Sequence, residues 1–358
     1  MFKPKFNITP AITQDLMAIE AARQVVMALP MDLTMLQSLY ASAKLCSTHY
    51  STKIEGNRLT QAEVVKVLSG ERFPGRERDE SEVRNYYRAM DEVERLANNT
   101  GPVTEHDIRR IHSLAYAGAP SETPYRDGQN VIRDGNTGKI VYMPPEAKDV
   151  PGLMASMVEW LNGMLQTNNL PVPLVSALAH YQFATIHPYY DGNGRTARLV
   201  TTLILHKYGY GMKGIYSLEE YYAQNLTGYY GALQVGESHN YYMGRVDADV
   251  TPFLAYFCRG MATAFEAVRA QARQASERNA VDESSLLFSL APRERHLLTL
   301  FQQQGTATTA DIARHLGLSS GSVRALCRTW VTSGLFAYHD PSKKNRSYRM
   351  GEAYRDLH

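Results

Sequence analysis

The stretch VSALAHYQFATIHPYYDGNGRTARLVTTLILHKYG, residues 175–209, constrains the fold more than any other. Its first twelve residues are apolar densely enough for a helix buried on most sides. Pro188 biases His187 away from helical geometry, so that helix ends about there. Gly192 and Gly194 then allow backbone conformations that side chains forbid. RTARLVTTLILHKYG resumes the helical pattern with its N-terminus at the turn.

A helix N-terminus after a glycine turn offers unpaired N–H groups and a partial positive charge, which are the parts of an anion site. Arg195 and Arg198, three apart, share one face of the first turn. Two cations at the positive end of a helix are unfavourable unless something anionic compensates them, and arginine forks bind phosphate oxygens well. Asp191 adds one carboxylate, too few for an all-protein metal cage but the usual number for Mg²⁺ that shares its shell with substrate phosphates. His187 is the nearby group suited to accepting a proton at neutral pH. A plain surface turn fits each element alone; their convergence within twelve residues favours phosphoryl or nucleotidyl transfer.

As a unit, His187, Tyr189, Asp191, Gly192, Asn193, Gly194, Arg195 and Arg198 resemble the Fic-domain signature, with tyrosine at 189 in place of the usual phenylalanine. The resemblance extends from about residue 10 to 265. It implies a mainly α, Fic-type helical bundle with a β-hairpin flap, acting as a protein adenylyltransferase that moves AMP from ATP to a hydroxyl side chain. It also implies roles: His187 as the base, Asp191 as the holder of Mg²⁺ or Mn²⁺, and Gly192, Asn193, Gly194, Arg195, Thr196 and Arg198 as the phosphate cradle.

Two β-branched runs around Asp-Gly-Asn-Thr-Gly at residues 131–143 predict a hairpin in an otherwise helical chain. In the resembled family such a flap pairs with the target backbone, which assigns target docking to Val131, Ile132, Ile140, Val141 and Tyr142. YYAQNLTGYYGAL resembles the base and ribose segment, with Asn225, Tyr229 and Tyr230 as candidates, although tyrosine pairs on helices also serve as packing.

STKIEGNRLT, residues 51–60, ends a helical pattern, with Gly56 placed as the residue after the helix and Glu55 in the last turn, the electrostatically poor end for a carboxylate. Ser51, Glu55 and Gly56 match the inhibitory pattern of the resembled family. That resemblance implies a brake in which Glu55 pairs with Arg198 and blocks the γ-phosphate. The same glutamate could serve AMP removal.

PRERHLLTLFQQQG, TTADIARHLGL and SSGSVRALCRTWVTSGL are short helical patterns followed by FAYHDPSKKNRSYRM, two strands around a basic loop. They resemble a winged helix-turn-helix. Arg324, Arg328, Lys343, Lys344, Arg346 and Arg349 face a single acid, Asp340, so DNA is one candidate partner and a protein another. Trp330, Leu335 and Phe336 read as core.

The expected division is an N-terminal helical region carrying the inhibitory motif (1–100), the catalytic core (101–270), a polar linker (271–287) and the winged helix (288–358). MFKPKFNITP lacks an apolar segment of signal length and no apolar run approaches a membrane span, so the expected setting is the cytoplasm without membrane contact. Cys46, Cys258 and Cys327 lack disulfide or zinc spacing and read as small hydrophobes. Expected partners are a target protein and the chain itself as a substrate of self-modification; homodimerisation is compatible. Two alternatives stay open: a DNA-binding, nucleotide-sensing regulator with little catalysis, and transfer of another nucleotidyl or phosphoryl group.

Overall fold

In the computed structural model, residues 2–31, 33–133, 137–276, 287, 289–342 and 346–354 are described; most of the expected linker, 277–286, and Lys343 and Lys344 of the basic loop lie outside them. The helices are α1 (Pro10–Ala28), α2 (Leu33–Ile54), α3 (Gln61–Leu68), α4 (Glu77–Ala97), α5 (Glu105–Ala117), α6 (Val150–Thr167), α7 (Val172–Ile186), α8 (Asn193–Leu205), α9 (Leu218–Gln224), α10 (Leu226–Leu233) and α11 (Thr251–Ser276). The hairpin strands β1 (Ile132–Arg133) and β2 (Ile140–Tyr142) pair antiparallel between α5 and α6. Among the described residues no helix is long and apolar enough to cross a membrane.

Contacts divide the chain into two compact units, one of Met1–Leu29 with Tyr40–Gln274, the other of Pro30–Leu39 with Ala275–His358. The expected boundary near residue 100 therefore falls inside the first unit, where α4 packs against both α5 and α8. Helix α8 is the centre of that unit, contacting α4, α5 and α7, and eleven of its thirteen residues are buried, with the polar Asn193, Arg195, Thr196, Arg198 and Thr201 among them. Helix α7 is buried from Pro173 to Ile186 except at Ala184. Polar ends are satisfied locally. Thr104 and Asp107 form the capping box at α5, with Thr104 Oγ1 accepting from the Asp107 N–H at 3.1 Å and Asp107 Oδ2 accepting from the Thr104 N–H at 2.9 Å.

The second unit contains α12 (Pro292–Gln304), β3 (Ala307–Thr308), α13 (Thr309–Leu316), α14 (Ser320–Thr332), β4 (Phe336–Asp340) and β5 (Ser347–Met350). The strands form an antiparallel sheet in the order β3-β5-β4. Strand β3 was not among the sequence expectations, since a two-residue strand carries no periodicity. Trp330 and Phe336 are buried edge-to-face with ring centres 5.2 Å apart, and Leu335 is buried beside them, as core residues. Residues 30–39 join this unit against the sequence division: Gln37 Nε2 donates to Thr299 Oγ1 at 3.2 Å.

Candidate active site

Helix α7 stops where Pro188 requires it to, but not in the extended conformation that a following proline favours. His187 is its cap in the left-handed region, φ 52° and ψ 60°, with its N–H donating to the Phe183 carbonyl at 3.0 Å. A β-carbon makes that conformation costly, and such strain collects at functional sites. The imidazole is half-buried. Burial pushes its pKa down to about 4, opposed by a hydrogen bond with the Ala184 backbone and assisted by the Arg126 charge, so the ring is neutral at pH 7.

The turn after it is built by side chains bonding to backbone. Asn193 Oδ1 accepts from the Tyr189 N–H at 3.0 Å, and Asn193 Nδ2 donates to the Tyr189 carbonyl at 2.8 Å. The Asn193 side-chain amide thus shapes the loop by bonding in both directions to the Tyr189 backbone. Tyr189 is 2% exposed and stacks on His112 with ring centres 3.6 Å apart; its hydroxyl has no partner among the described residues. His112 Nε2 donates to the Asp191 carbonyl at 2.8 Å, and Gly192 closes the turn at φ 77° as the cap of α8.

Asp191 Oδ1 accepts from the Gly192 N–H at 2.6 Å, while half of the side chain remains exposed. Among the described residues no cluster of three or more His, Cys, Asp or Glu could hold a metal. This donor set, one open carboxylate beside a phosphate-binding turn, fits Mg²⁺ or Mn²⁺ that takes its other ligands from substrate and water.

Both arginines are buried. Arg195 lies 3.5 Å from Asp191 Oδ1 and 3.9 Å from Glu82 Oε1, and its Nε has no acceptor among the described residues. Arg198 donates from Nε to Ser51 Oγ at 2.8 Å, and from Nη2 to the Ser51 carbonyl at 2.9 Å and to Glu55 Oε1 at 2.8 Å; among the described residues its Nη1 is without an acceptor in hydrogen-bond geometry. Burial works against its charge, but Glu55, Tyr229 and Tyr86 outweigh burial and raise the pKa. Glu55 lies one residue past the end of α2, not in its last turn, and Gly56 follows at φ 92°. The carboxylate reaches so far into the turn that a β-carbon on Gly194 would lie 2.3 Å from Glu55 Oε1. The anion that the positive end of α8 demands is supplied by the chain itself.

The hairpin residues Val131, Ile132 and Val141 are half-buried and Ile140 is exposed, whereas Tyr142 points into the core with its hydroxyl donating to the Thr185 carbonyl at 2.8 Å. Thr196 is buried, its hydroxyl donating to the Gly192 carbonyl at 2.8 Å. Asn225 caps α10 by accepting from the Gly228 N–H at 3.0 Å. Tyr229 is 2% exposed, its hydroxyl sits 2.9 Å from His180 Nε2 and its ring stacks on Tyr222, so it supports the site from the core and presents no face to a base. Tyr230 is 42% exposed, with its hydroxyl donating to the Ile54 carbonyl at 3.4 Å beside Glu55.

Sequence reading missed Glu82, His112 and Arg126. Glu82 carried a signal, since it is in phase with Tyr86, Ala89 and Val93 on the buried face of α4, where an unpaired acid is unfavourable. It accepts from Arg78 Nε at 3.0 Å and Asn57 Nδ2 at 3.1 Å. His112 and Arg126 carried none that periodicity could show.

Residues 102–205 match the Fic/DOC family. The chain is 30% identical over 200 residues to the protein adenylyltransferase fic-1 of Caenorhabditis briggsae, covering 53% of this chain and 38% of that one. It is 31% identical over 166 residues to the protein adenylyltransferase Fic of Drosophila grimshawi, covering 45% and 33%. The matched stretch thus spans about a third of the length of these curated relatives. A Fic family protein from Desulfovibrio desulfuricans G20 shares the fold over 98% of this chain and 99% of its own, with a TM-score of 0.59 and 24% identity. Residues 134–508 of Fic-1 from C. elegans superpose with a TM-score of 0.58 at 22% identity, over 75% of this chain and 74% of that one.

Proposed function

From the premise that the chain carries a Fic/DOC-family domain, we propose that it is a protein adenylyltransferase held in check by its own Glu55. The observation that carries this reading is the Arg198–Glu55 contact at 2.8 Å, at the N-terminus of a helix that begins in a glycine turn. A carboxylate there occupies the place of a terminal phosphate.

In the forward reaction the target hydroxyl gives its proton to neutral His187 as its oxygen bonds the α-phosphorus, and the bond from that phosphorus to the departing pyrophosphate breaks. The N–H groups of Asn193 and Gly194, together with Arg195 Nε, are donors suited to the α- and β-phosphates, whereas the Gly192 N–H is held by Asp191 Oδ1. Arg198 takes the γ-phosphate once Glu55 withdraws. Asp191 would hold Mg²⁺ or Mn²⁺, which neutralises phosphate charge when bound. Tyr230 and Asn225 border the nucleoside end, and β1 and β2 offer backbone to the target strand. The target side chain, self-modification, homodimerisation and use of Glu55 in AMP removal belong to the same reading. So does a cytoplasmic setting, which suits three free thiols.

Intact-mass measurement of Glu55→Gly protein with ATP and Mg²⁺ tests the proposal. One or more AMP increments that vanish in Glu55→Gly/His187→Ala are expected; no increment on the protein or any lysate target leaves the nucleotide-sensing regulator in its place.

We read the second unit as a winged helix. Arg324 and Arg328 are exposed four residues apart on α14, a face suited to nucleic-acid phosphates. Anisotropy of labelled duplex DNA, with a steep salt dependence lost in Arg324→Ala/Arg328→Ala, is the expected result. No binding at low salt would assign the unit to protein docking.

A further inference from the structure

Arg126 is 3% exposed, and every hydrogen bond its side chain makes among the described residues goes to a carbonyl. Nε donates to the His187 carbonyl at 3.0 Å, Nη1 to Gly128 at 3.1 Å and Nη2 to Pro145 at 2.5 Å. Its backbone N–H donates to the Pro188 carbonyl at 2.9 Å. A buried guanidinium without a carboxylate partner is expensive, so retaining one for packing alone is unreasonable. The three carbonyls belong to three different places: the strained cap that presents the imidazole, the entry to the hairpin and its exit. Pro145 lies three residues beyond β2, and Gly128 four before β1.

We propose that Arg126 is a positioning residue that holds His187 in its left-handed conformation and sets the distance between that base and the hairpin. This rests on the reading of His187 as base and of the hairpin as the target's docking strand. The hydroxyl enters on the hairpin and the proton leaves to His187, and one planar fork fixes both against each other. Lysine, a point donor, can satisfy one carbonyl but cannot span three. The side chain acts through His187 and the hairpin and does not touch phosphate, so nucleotide saturation is independent of it.

The test uses full-length Glu55→Gly protein, alone and with Arg126→Lys or Arg126→Met. Two measurements are made: single-turnover AMP self-incorporation at varied ATP, and histidine-ring NMR spectra in which His187 is assigned by its loss in His187→Ala. The proposal expects Arg126→Lys to slow incorporation at saturating ATP by about 30- to 100-fold, the scale of a one-ångström misplacement, with half-saturating ATP within twofold. The His187 signal moves while those of buried His180 and half-buried His206 stay. A rate within threefold of the Glu55→Gly parent, or an unmoved His187 signal, overturns it. Movement of all ring signals with parallel loss of ATP saturation makes Arg126 a general structural residue and overturns it too. If Arg126→Met does not fold, Arg126→Lys decides. If the Glu55→Gly parent incorporates no AMP, the transferase reading fails by itself, and the His187 signal still decides the clamp.

Discussion

Replacing Glu55 by glycine removes the carboxylate that, among the described residues, lies within hydrogen-bonding distance of Arg198, leaving the guanidinium on two Ser51 contacts at 2.8 and 2.9 Å. Breaking a fully buried ion pair costs about 3–5 kcal/mol. Here the Glu55 side chain is 28% exposed and the Ser51 bonds persist, so the cost is nearer ~2 kcal/mol. For a unit of this size that lowers Tm by roughly 4–8 °C. The same free energy is what a γ-phosphate must overcome to displace the carboxylate, and ~2 kcal/mol corresponds to about 30-fold in productive docking. Single-turnover incorporation from α-labelled ATP should therefore rise by about that factor, while saturating ATP restores the lost Tm by placing an anion on Arg198. Glu55→Gln keeps a hydrogen-bonding oxygen without the charge and should fall between. Equal incorporation in wild type and Glu55→Gly, or a Glu55→Gly protein that melts no lower than wild type, would refute the argument from the pair.

Other perturbations are readable from the same geometry. A β-carbon on Gly194 would lie 2.3 Å from Glu55 Oε1, so Gly194→Ala should lower the unfolding free energy of wild type by at least ~1 kcal/mol more than it lowers that of the Glu55→Gly variant, a non-additivity that a double-mutant melting cycle measures. His187→Ala should cut AMP transfer by about 10²-fold or more with ATP binding intact; loss of ATP binding in calorimetry would make His187 structural. Tyr189 buries a hydroxyl with no partner among the described residues, so Tyr189→Phe should be neutral or raise stability by up to ~1 kcal/mol, and a drop in Tm would show an unseen partner. Burial lowers the pKa of His112, His187 and His206 to about 4 and of His180 to about 3. Below their ordinary values near 6.5 the unfolded chain binds protons that the folded chain refuses, so stability is intact above that pH and is lost as pH falls toward 4. A single ring contributes at most about 1.4 kcal/mol per pH unit, and only between its folded and unfolded values; urea melts that agree at pH 7 and pH 5 would contradict the direction.

Much of what in the site depends on neighbours in the chain was legible in the residues. The end of α7 at His187, the glycine turn, the start of α8 and the strand pair at 131–143 follow from dihedral preference, periodicity and local hydrogen bonding, which act over a few residues. Even there, the left-handed state of His187 was hidden, because it is imposed by contacts and not by propensity. What was not legible is held by long-range packing. Arg198 meets Glu55 across 143 residues of chain, and their pairing was reached only by resemblance. His112 on α5 fixes the Asp191 carbonyl, and Glu82 on α4 reaches Arg195, because α8 is wedged against both helices. Arg126 had no local signal at all, since a lone arginine in a loop looks the same whether it is solvated or clamps three carbonyls. The residues by themselves determined which backbone could bend where and which groups could hold an anion. The tertiary structure decided that the anion in place is the chain's own carboxylate, because only packing α2 against α8 brings a helix-end glutamate to the positive end of another helix.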